Sequence, residues 1–193
     1  MQMNRQKITT TFNYSEVEIE ETKIKAFNKD SRESRSYRVF DGEFAGTQYI
    51  EGKSDDAEGY KQAEKNLSLK RPYKYPLETG TRHRDKTESE FSDKELMDLA
   101  RQTLEYLKTH HPDFVVKGSV SKNRRSTLMQ NDLGLDYSNA DFTVSIDLAF
   151  RHKDSKDIMD GWFSIGQRTF DFSKFTDMAD NYLTNFTNKV ELP

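Results

Sequence analysis

The segment from Phe142 to Arg151 constrains the fold of this chain more than any other part of the sequence. Five apolar residues (Phe142, Val144, Ile146, Leu148 and Phe150) alternate strictly with Thr143, Ser145, Asp147, Ala149 and Arg151. Because successive side chains of a strand point to opposite faces, this pattern predicts one buried and one solvated face. Such a strand is typical of an antiparallel sheet whose covered face packs on helices.

Two helices are predicted on either side of this strand. Ser92 and Glu95 form a capping-box pattern, and an apolar stripe follows before Pro112: Leu96, Leu99, Ala100, Leu104 and Leu107. A second stripe of helical period comprises Phe175, Met178, Ala179, Tyr182, Leu183 and Phe186. Between the helices we predict a meander of strands, with a polar turn at Lys122–Asn123, another at Asn131–Gly134, and a last strand spanning Ile158–Arg168. The order helix, meander, helix indicates an α+β unit.

The first third of the chain is also predicted to be mainly strands. Alternation is interrupted near Glu20–Glu21, which indicates a bulge or turn, and a polar turn is expected at 28–33. Tyr37–Phe40 leads into Asp41–Gly42, a strong hairpin signal, and the chain returns through Phe44–Ile50. Ser54 is expected to cap a helix whose buried residues are Ala57, Tyr60, Ala63 and Leu67.

The apolar pattern disappears between these two parts of the chain. Residues 68–91 contain two prolines and mixed charges, so we interpret them as a linker. The predicted organisation is a hairpin-plus-helix unit at 1–67, the linker, and a helix–meander–helix unit at 92–193. The fold class is α+β, with antiparallel or mixed sheets, helices packed on one face, and two subdomains.

Composition and charge exclude several classes of function. The chain has no cysteine, which excludes disulfides and thiolate zinc sites within it. Its formal net charge of -3 argues against nucleic-acid binding. No apolar stretch approaches the roughly 20 residues that span a bilayer, and no signal peptide is evident at the start. We therefore expect a cytoplasmic protein that binds neither membrane nor nucleic acid.

The sequence contains no complete set of catalytic or metal-binding residues. His110 and His111 are adjacent at a predicted helix end, so on a helix they point about 100° apart and do not converge on one ion. His83 falls in the linker and His152 at a strand end. The best candidate for a nucleic-acid patch is Lys117, Lys122, Arg124 and Arg125, but it lacks interleaved aromatics and indicates an exposed hairpin. The single tryptophan, Trp162, is expected to anchor the core.

Two short segments carry a resemblance to a known family. Tyr37–Thr47 resembles the hairpin of the TldD/PmbA metallopeptidases, and Asn131–Gly134 resembles a turn in the meander of the same family. Ala45 stands where a glycine is common there, and Asp132 replaces the usual serine or threonine. The motif positions, which the resemblance implies to be structural or close to substrate, are Arg38, Asp41, Gly42, Gly46, Asn131 and Gly134.

The resemblance implies a role in proteolysis without catalysis by this chain. Family members hold their metal with an HExxxH helix and a later cysteine in a carboxy-terminal domain, and neither matches this sequence, so no catalytic or metal residue is carried over and zinc is expected only in such a domain. The implied function is a front part that helps to wall a chamber for extended peptides and makes homo- or heterodimer contacts with a TldD/PmbA-type chain. The alternative is a stand-alone protein- or peptide-binding module. A nucleic-acid regulator is a third, weaker possibility.

Overall fold

The computed structural model describes residues 3–87 and 89–188, which form a sheet of seven strands with three α-helices. The strands are β1 (Asn4–Glu20), β2 (Lys23–Phe40), β3 (Ala45–Glu51), β4 (Gly80–Lys86), β5 (Phe114–Asn131), β6 (Leu135–His152) and β7 (Gly161–Gln167). The helices are α1 (Asp56–Lys65), α2 (Asp93–His110) and α3 (Phe172–Thr187), and a short 3-10 helix follows α1 at Asn66–Leu69.

The strands form a mixed sheet in the order β3-β2-β1-β5-β6-β4, with β7 also paired to β6. β4 is parallel to β6 at Leu135–Asp141, whereas β7 is antiparallel to β6 at Val144–Phe150. The predicted α+β class is therefore confirmed. No helix within the described ranges is both long and apolar enough to cross a membrane.

The chain divides into two compact units that are not consecutive in sequence. The first unit comprises Met1–Asn13, Ser31–Glu88 and Arg124–Asp141, and the second comprises Tyr14–Asp30, Ser89–Asn123 and Phe142–Pro193. The predicted units, in contrast, are consecutive in sequence and are separated at 68–91. β4 lies inside that segment. β4 has no apolar pattern because all but its last residue are exposed, and only its pairing with β6 defines it as a strand. Residues 189–193 of the predicted second unit lie outside the described residues.

Two predicted turns are wrong because the strands through them are continuous. β2 passes through 28–33, and β5 passes through Lys122–Asn123. Polar side chains there make hydrogen bonds instead of apolar contacts: Ser31 Oγ donates to Asn13 Oδ1 at 2.7 Å. The turn predicted near Glu20–Glu21 is confirmed, at Glu21–Thr22, where both residues have positive φ.

The second unit has the larger core, as the alternating strand predicts. The five apolar residues of Phe142–Phe150 are all buried, and they pack with the apolar stripes of α2 and α3. Both hydrogen bonds of the capping box are present: Glu95 N donates to Ser92 Oγ at 3.2 Å, and Ser92 N donates to Glu95 Oε2 at 2.7 Å. Capping and burial of one helical face together account for the position of α2.

The first unit has a small core around Tyr37, Val39 and Ala63. Its close packing depends on glycine, since a Cβ placed on Gly46 would lie 1.9 Å from the carbonyl oxygen of Ala63 in α1. The predicted cap is wrong by one residue. The side chain of Asp55 caps α1, while Ser54 Oγ lies 2.8 Å from the hydroxyl of Tyr37. The predicted buried position Ala57 is also wrong, because its side chain is exposed.

Candidate functional site

Asp41 and Gly42 form the tight turn between β2 and β3. The carboxylate of Asp41 accepts hydrogen bonds from the backbone N–H of Phe44 at 2.8 Å and of Glu43 at 3.0 Å. These hydrogen bonds, that from Phe44 above all, hold the pKa of Asp41 below its usual value. Gly42 has φ +106°, which a residue with a side chain rarely adopts. Both residues therefore shape the turn.

Asn131 and Gly134 form the turn between β5 and β6. The side-chain oxygen of Asn131 accepts hydrogen bonds from Leu133 N and Leu135 N, each at 2.9 Å, and its amide donates to Glu78 O at 2.8 Å. Gly134 has φ +85°, and its carbonyl accepts from Gly80 N at 3.2 Å. This turn therefore also holds the start of β4.

The structure brings the two turns together around one small cleft, which we call the aromatic cleft. Its volume is about 200 Å³, and it is lined by Asn4, Phe40, Gly42, Phe44, Tyr73, Tyr75, Leu77 and Leu133. The segment carrying Tyr73 pairs with the hairpin, since Tyr73 N donates to Glu43 O at 2.9 Å and Ala45 N donates to Arg71 O at 2.9 Å. The aromatic residues of 71–77 were missed by the sequence analysis; the only signal was the spacing of Tyr73 and Tyr75 between two prolines.

Arg38 and Gly46, the remaining motif positions, do not line the aromatic cleft. Arg38 Nη1 lies 3.5 Å from Gln6 Oε1, a weak contact with a buried amide. Gly46 packs against the backbone of α1 at Ala63. Within the first unit, Arg38 therefore contacts the amino-terminal strand, and Gly46 allows close packing of β3 on α1.

The turn at Asn131–Gly134 is tied to α1 through Arg5. Asp132 accepts a hydrogen bond from Arg5 N at 2.9 Å, and the guanidinium of Arg5 pairs with Glu64 at 2.7 Å. The same guanidinium lies 5.2 Å from the ring centre of Tyr60. Burial, with the nearby charge of Asp132, raises the pKa of Tyr60 to about 12. Asp132 thus holds the backbone of Arg5, whose side chain forms the ion pair with Glu64.

The two adjacent histidines lie at the end of α2, as predicted. The ring of His110 stacks on Tyr106 at a centroid distance of 4.2 Å. His111 Nε2 lies 2.7 Å from Asp180 Oδ1, which also accepts a hydrogen bond from the hydroxyl of Tyr106 at 2.7 Å. Burial, together with this hydrogen bond to Asp180, raises the pKa of Tyr106 to about 12. The cluster joins α2 to α3.

His83 and Lys122 are also engaged within the fold. His83 lies in β4, with Nδ1 2.8 Å from Ser138 Oγ, and His152 is the last residue of β6. Lys122 is largely buried; it donates to Phe91 O at 2.7 Å and pairs with Asp93 at 2.8 Å. In the described ranges, no group of three or more His, Cys, Asp or Glu side chains is placed to hold a metal ion.

The prediction that Trp162 anchors the core is wrong. Trp162 is 66% exposed, because the alternation of β7 turns Phe163 towards the core instead. Trp162 lies at the edge of a groove of about 510 Å³ between β7 and α3, which we call the β7–α3 groove. The groove is lined by Phe150, Asp160, Gly161, Trp162, Asn181, Tyr182, Asn185 and Phe186. On the opposite face of β7, Trp162 also borders a second cleft of about 620 Å³.

Comparison with known proteins identifies the fold. No protein-family model matches the chain, and no curated protein matches its sequence. A proposed modulator of a DNA gyrase from Thermotoga maritima matches 99% of the chain, with a TM-score of 0.72 and 16% identity. TldE from Thermococcus kodakarensis matches 94%, with a TM-score of 0.74 and 15% identity. A proposed modulator of DNA gyrase from Bacteroides thetaiotaomicron matches 86%, with a TM-score of 0.62 and 7% identity.

The chain covers 46%, 44% and 41% of these three proteins, less than half of each. At the level of the fold, the resemblance to the TldD/PmbA group is confirmed. The chain has the fold of the amino-terminal part of TldD/TldE proteins.

Proposed function

We propose that this chain is the non-catalytic part of a TldD/PmbA-like metallopeptidase. In this role it helps to wall a chamber that receives unfolded peptides, and it contributes contacts to a homo- or heterodimer. The observation that carries the proposal is the agreement of the fold over 99% of the chain with part of a longer protein.

The positions of the histidines support a non-catalytic role. A zinc site needs three or four converging ligands, mostly histidine, cysteine and carboxylate. His111 is paired with Asp180. His110 Nδ1 lies 3.0 Å from the carbonyl oxygen of Tyr106, in the same helix. His83 contacts Ser138 in the first unit, whereas His152 belongs to the second. The metal and the catalytic base would therefore come from a domain carrying HExxxH.

The test separates the chain from a catalytic partner. The full chain alone, dialysed and analysed for metals, should hold no stoichiometric zinc and should leave a fluorogenic peptide intact. When it is joined to or assembled with a domain bearing HExxxH and the later cysteine, chelator-sensitive hydrolysis should appear. The matched control carries HExxxH with the glutamate replaced by glutamine, which removes the base and keeps the assembly. One equivalent of tightly held zinc, or turnover by the chain alone, contradicts the proposal.

A second candidate is a stand-alone protein- or peptide-binding module, which the β7–α3 groove favours. This groove lies wholly within the second unit and needs no catalytic domain to be complete. Co-purification distinguishes the two functions. A peptidase part should associate with a chain carrying HExxxH in its native cell, whereas a stand-alone module should be recovered without one.

A further inference from the structure

We propose that the second unit binds a small carboxylate with an apolar body in the cleft of about 620 Å³ beside Trp162, which we call the Trp162 cleft. The volume is within the range of small-ligand sites, roughly 300–1,000 Å³. This inference goes beyond the proposed function, since every described residue that lines the cleft belongs to the second unit and no catalytic domain takes part.

Apolar side chains from three strands and one loop form the wall of the Trp162 cleft: Val115, Ala149, Phe150, Ile158, Met159 and Trp162. Ala149 and Trp162 are opposite each other in the pair of β6 and β7, so their side chains point to the same face of the sheet. Their neighbours Leu148 and Phe163 are buried in the core with α2 and α3. The cleft therefore lies on the face directed away from these helices.

The loop between β6 and β7 presents apolar side chains to solvent beside this face. Ile158 is 99% exposed and Met159 is 51% exposed. The loop has a defined shape, because Asp160 accepts hydrogen bonds from His152 N at 2.6 Å and from Ser155 Oγ at 2.7 Å. Neighbouring apolar side chains that stay exposed on an ordered loop are typical of a binding site. A ligand in the cleft would cover them.

Arg151 supplies the cleft with a cation that the fold leaves unpaired. Its side chain is half-buried, and within the described ranges it makes no hydrogen bond and no ion pair. Arg151 lies two residues after Ala149 on β6, so it shares the face of Trp162 and is its diagonal neighbour. The N–H donors of a guanidinium match the two oxygens of a carboxylate. A carboxylate held there would place its hydrocarbon part over the indole.

The acidic residues of the cleft lie too far from Arg151 to neutralise it. Asp147 is four residues earlier on β6, about 13 Å along the strand, and it accepts a hydrogen bond from Ser164 Oγ. Glu20 and Glu21 belong to the end of β1 and the turn after it, and β5 separates β1 from β6. Roughly 10 Å of sheet therefore lies between these two residues and Arg151.

Glu20 is also paired with a cation of its own. Lys25 Nζ lies 2.7 Å from Glu20 Oε2, and this ion pair, with a smaller effect of Lys117, holds the pKa of Glu20 below its usual value. The cleft thus combines an acidic side that is already balanced with an unpaired cation near the indole. This distribution of charge favours an anionic ligand over a cationic one.

The lining of the cleft favours a small molecule over a segment of polypeptide. None of the described residues that line it carries a hydroxyl, a side-chain amide or an imidazole. The amide groups of a peptide would lose hydrogen bonds to water there, at a cost in free energy that a hydrocarbon chain does not have. The occupant is therefore an aliphatic or aromatic carboxylate.

Trp162 reports on binding directly, because it is the only tryptophan of the chain. The probe is octanoate, and octan-1-ol and octylammonium are the neutral and cationic ligands of matched length. Titration of the full chain with octanoate should shift Trp162 emission to the blue and saturate, with one ligand per chain in calorimetry. Octan-1-ol cannot form an ion pair with Arg151, so it should bind at least about tenfold more weakly, and octylammonium should bind more weakly still.

Three substitutions separate the charge of the cleft from its wall. Arg151→Gln should weaken octanoate binding at least about tenfold and leave the affinity for octan-1-ol unchanged. Lys153→Gln is the matched control, since it removes the same charge from an exposed residue outside the cleft and should leave both affinities unchanged. Ile158→Ser changes a wall residue that is almost fully exposed, so the fold does not depend on it. It should weaken both ligands at least about threefold.

The opposite results overturn the inference. Equal affinities for octanoate and octan-1-ol, or an unchanged octanoate affinity in folded Arg151→Gln, exclude a carboxylate site. If Arg151→Gln is unfolded by circular dichroism, the comparison of the three ligands and Ile158→Ser decide the question. Saturable binding that leaves Trp162 emission unchanged places the ligand elsewhere. Absence of binding rejects the site, and a dimer that Ile158→Ser dissociates in sedimentation would then make a second copy the occupant.

Discussion

Replacing Gly46 with alanine tests whether this motif position serves packing or function. A Cβ at Gly46 would lie 1.9 Å from Ala63 O and 2.8 Å from Leu67 N, both backbone atoms. To bring the first contact to 3.0 Å, the lower limit for real Cβ atoms, β3 and α1 must separate by about 1.1 Å. No rotamer change can relieve a clash between backbone atoms and a Cβ, so the helix itself has to move.

The expected cost follows from the packing of the first unit. Overpacking a core costs about 1–3 kcal/mol, and a backbone clash belongs at the upper end of that range. Alanine has fewer conformations than glycine in the unfolded chain, which offsets about 0.4–1 kcal/mol of that cost. Gly46→Ala should therefore lower the free energy of unfolding by about 2–2.5 kcal/mol, out of a total of roughly 5–15 kcal/mol. Urea unfolding followed by far-ultraviolet circular dichroism measures this difference.

Gly52→Ala is the control for this experiment. Gly52 has φ +82° and open space around the position of a Cβ, so alanine there meets backbone strain without a clash. For alanine the left-handed conformation costs about 1–2 kcal/mol. The restriction of the unfolded chain again offsets about 0.4–1 kcal/mol of this cost. If Gly46→Ala destabilised the protein no more than Gly52→Ala, the steric argument would fail, and a role for Gly46 in ligand contact would gain support.

Four further substitutions test the second unit. Ile146→Asp should lower the free energy of unfolding by more than about 4 kcal/mol, because it buries a carboxylate. Thr143→Asp, on the opposite face of the strand, should lower it by less than about 1 kcal/mol. If both variants were equally destabilised in thermal unfolding, both faces of the strand would be buried. Ser92→Ala should cost about 1 kcal/mol through loss of the cap of α2, and an unchanged urea midpoint would contradict that. The pKa of Tyr106 is raised from 10.0 to about 12, so its stabilising contribution is complete below pH 10.0 and is lost as pH rises towards 12. In urea unfolding, Tyr106→Phe should lose less stability than the unmodified protein over that pH interval. An equal loss in both proteins would reject the role of Tyr106.

The elements that the sequence predicts well are those held by apolar contacts. α2, α3 and the alternating part of β6 each bury one regular face, and their periods of 3.6 and 2 residues are visible in the sequence. The turns at Asp41–Gly42 and Asn131–Gly134 were predictable as turns, because aspartate, asparagine and glycine have known roles there.

The elements that the sequence conceals are held by hydrogen bonds. β4 is almost entirely exposed, and β2 continues through 28–33 with polar side chains, so neither contains a repeating apolar face. The same limit applies to the aromatic cleft. Its two turns are about ninety residues apart in sequence, and they meet only because the strand order places β2 and β5 on either side of β1. Trp162 was misplaced because alternation along β7 selects its neighbour Phe163 for the core.

The central place of β1 determines when this protein can fold during synthesis. β1 leaves the ribosome before β5, which is one of its two neighbours in the sheet. Beside this pair, Val116 N donates a hydrogen bond to the side chain of Thr22 across 94 residues of sequence. At roughly 5–20 residues per second, about 5–20 seconds pass between synthesis of the two partners. A hairpin of β1 and β2 alone is at best marginally stable in water, so the edge of β1 stays open during that time. Slow translation between Lys23 and Phe114 should therefore increase aggregation of the nascent chain, and a chaperone that shields strand edges should suppress it.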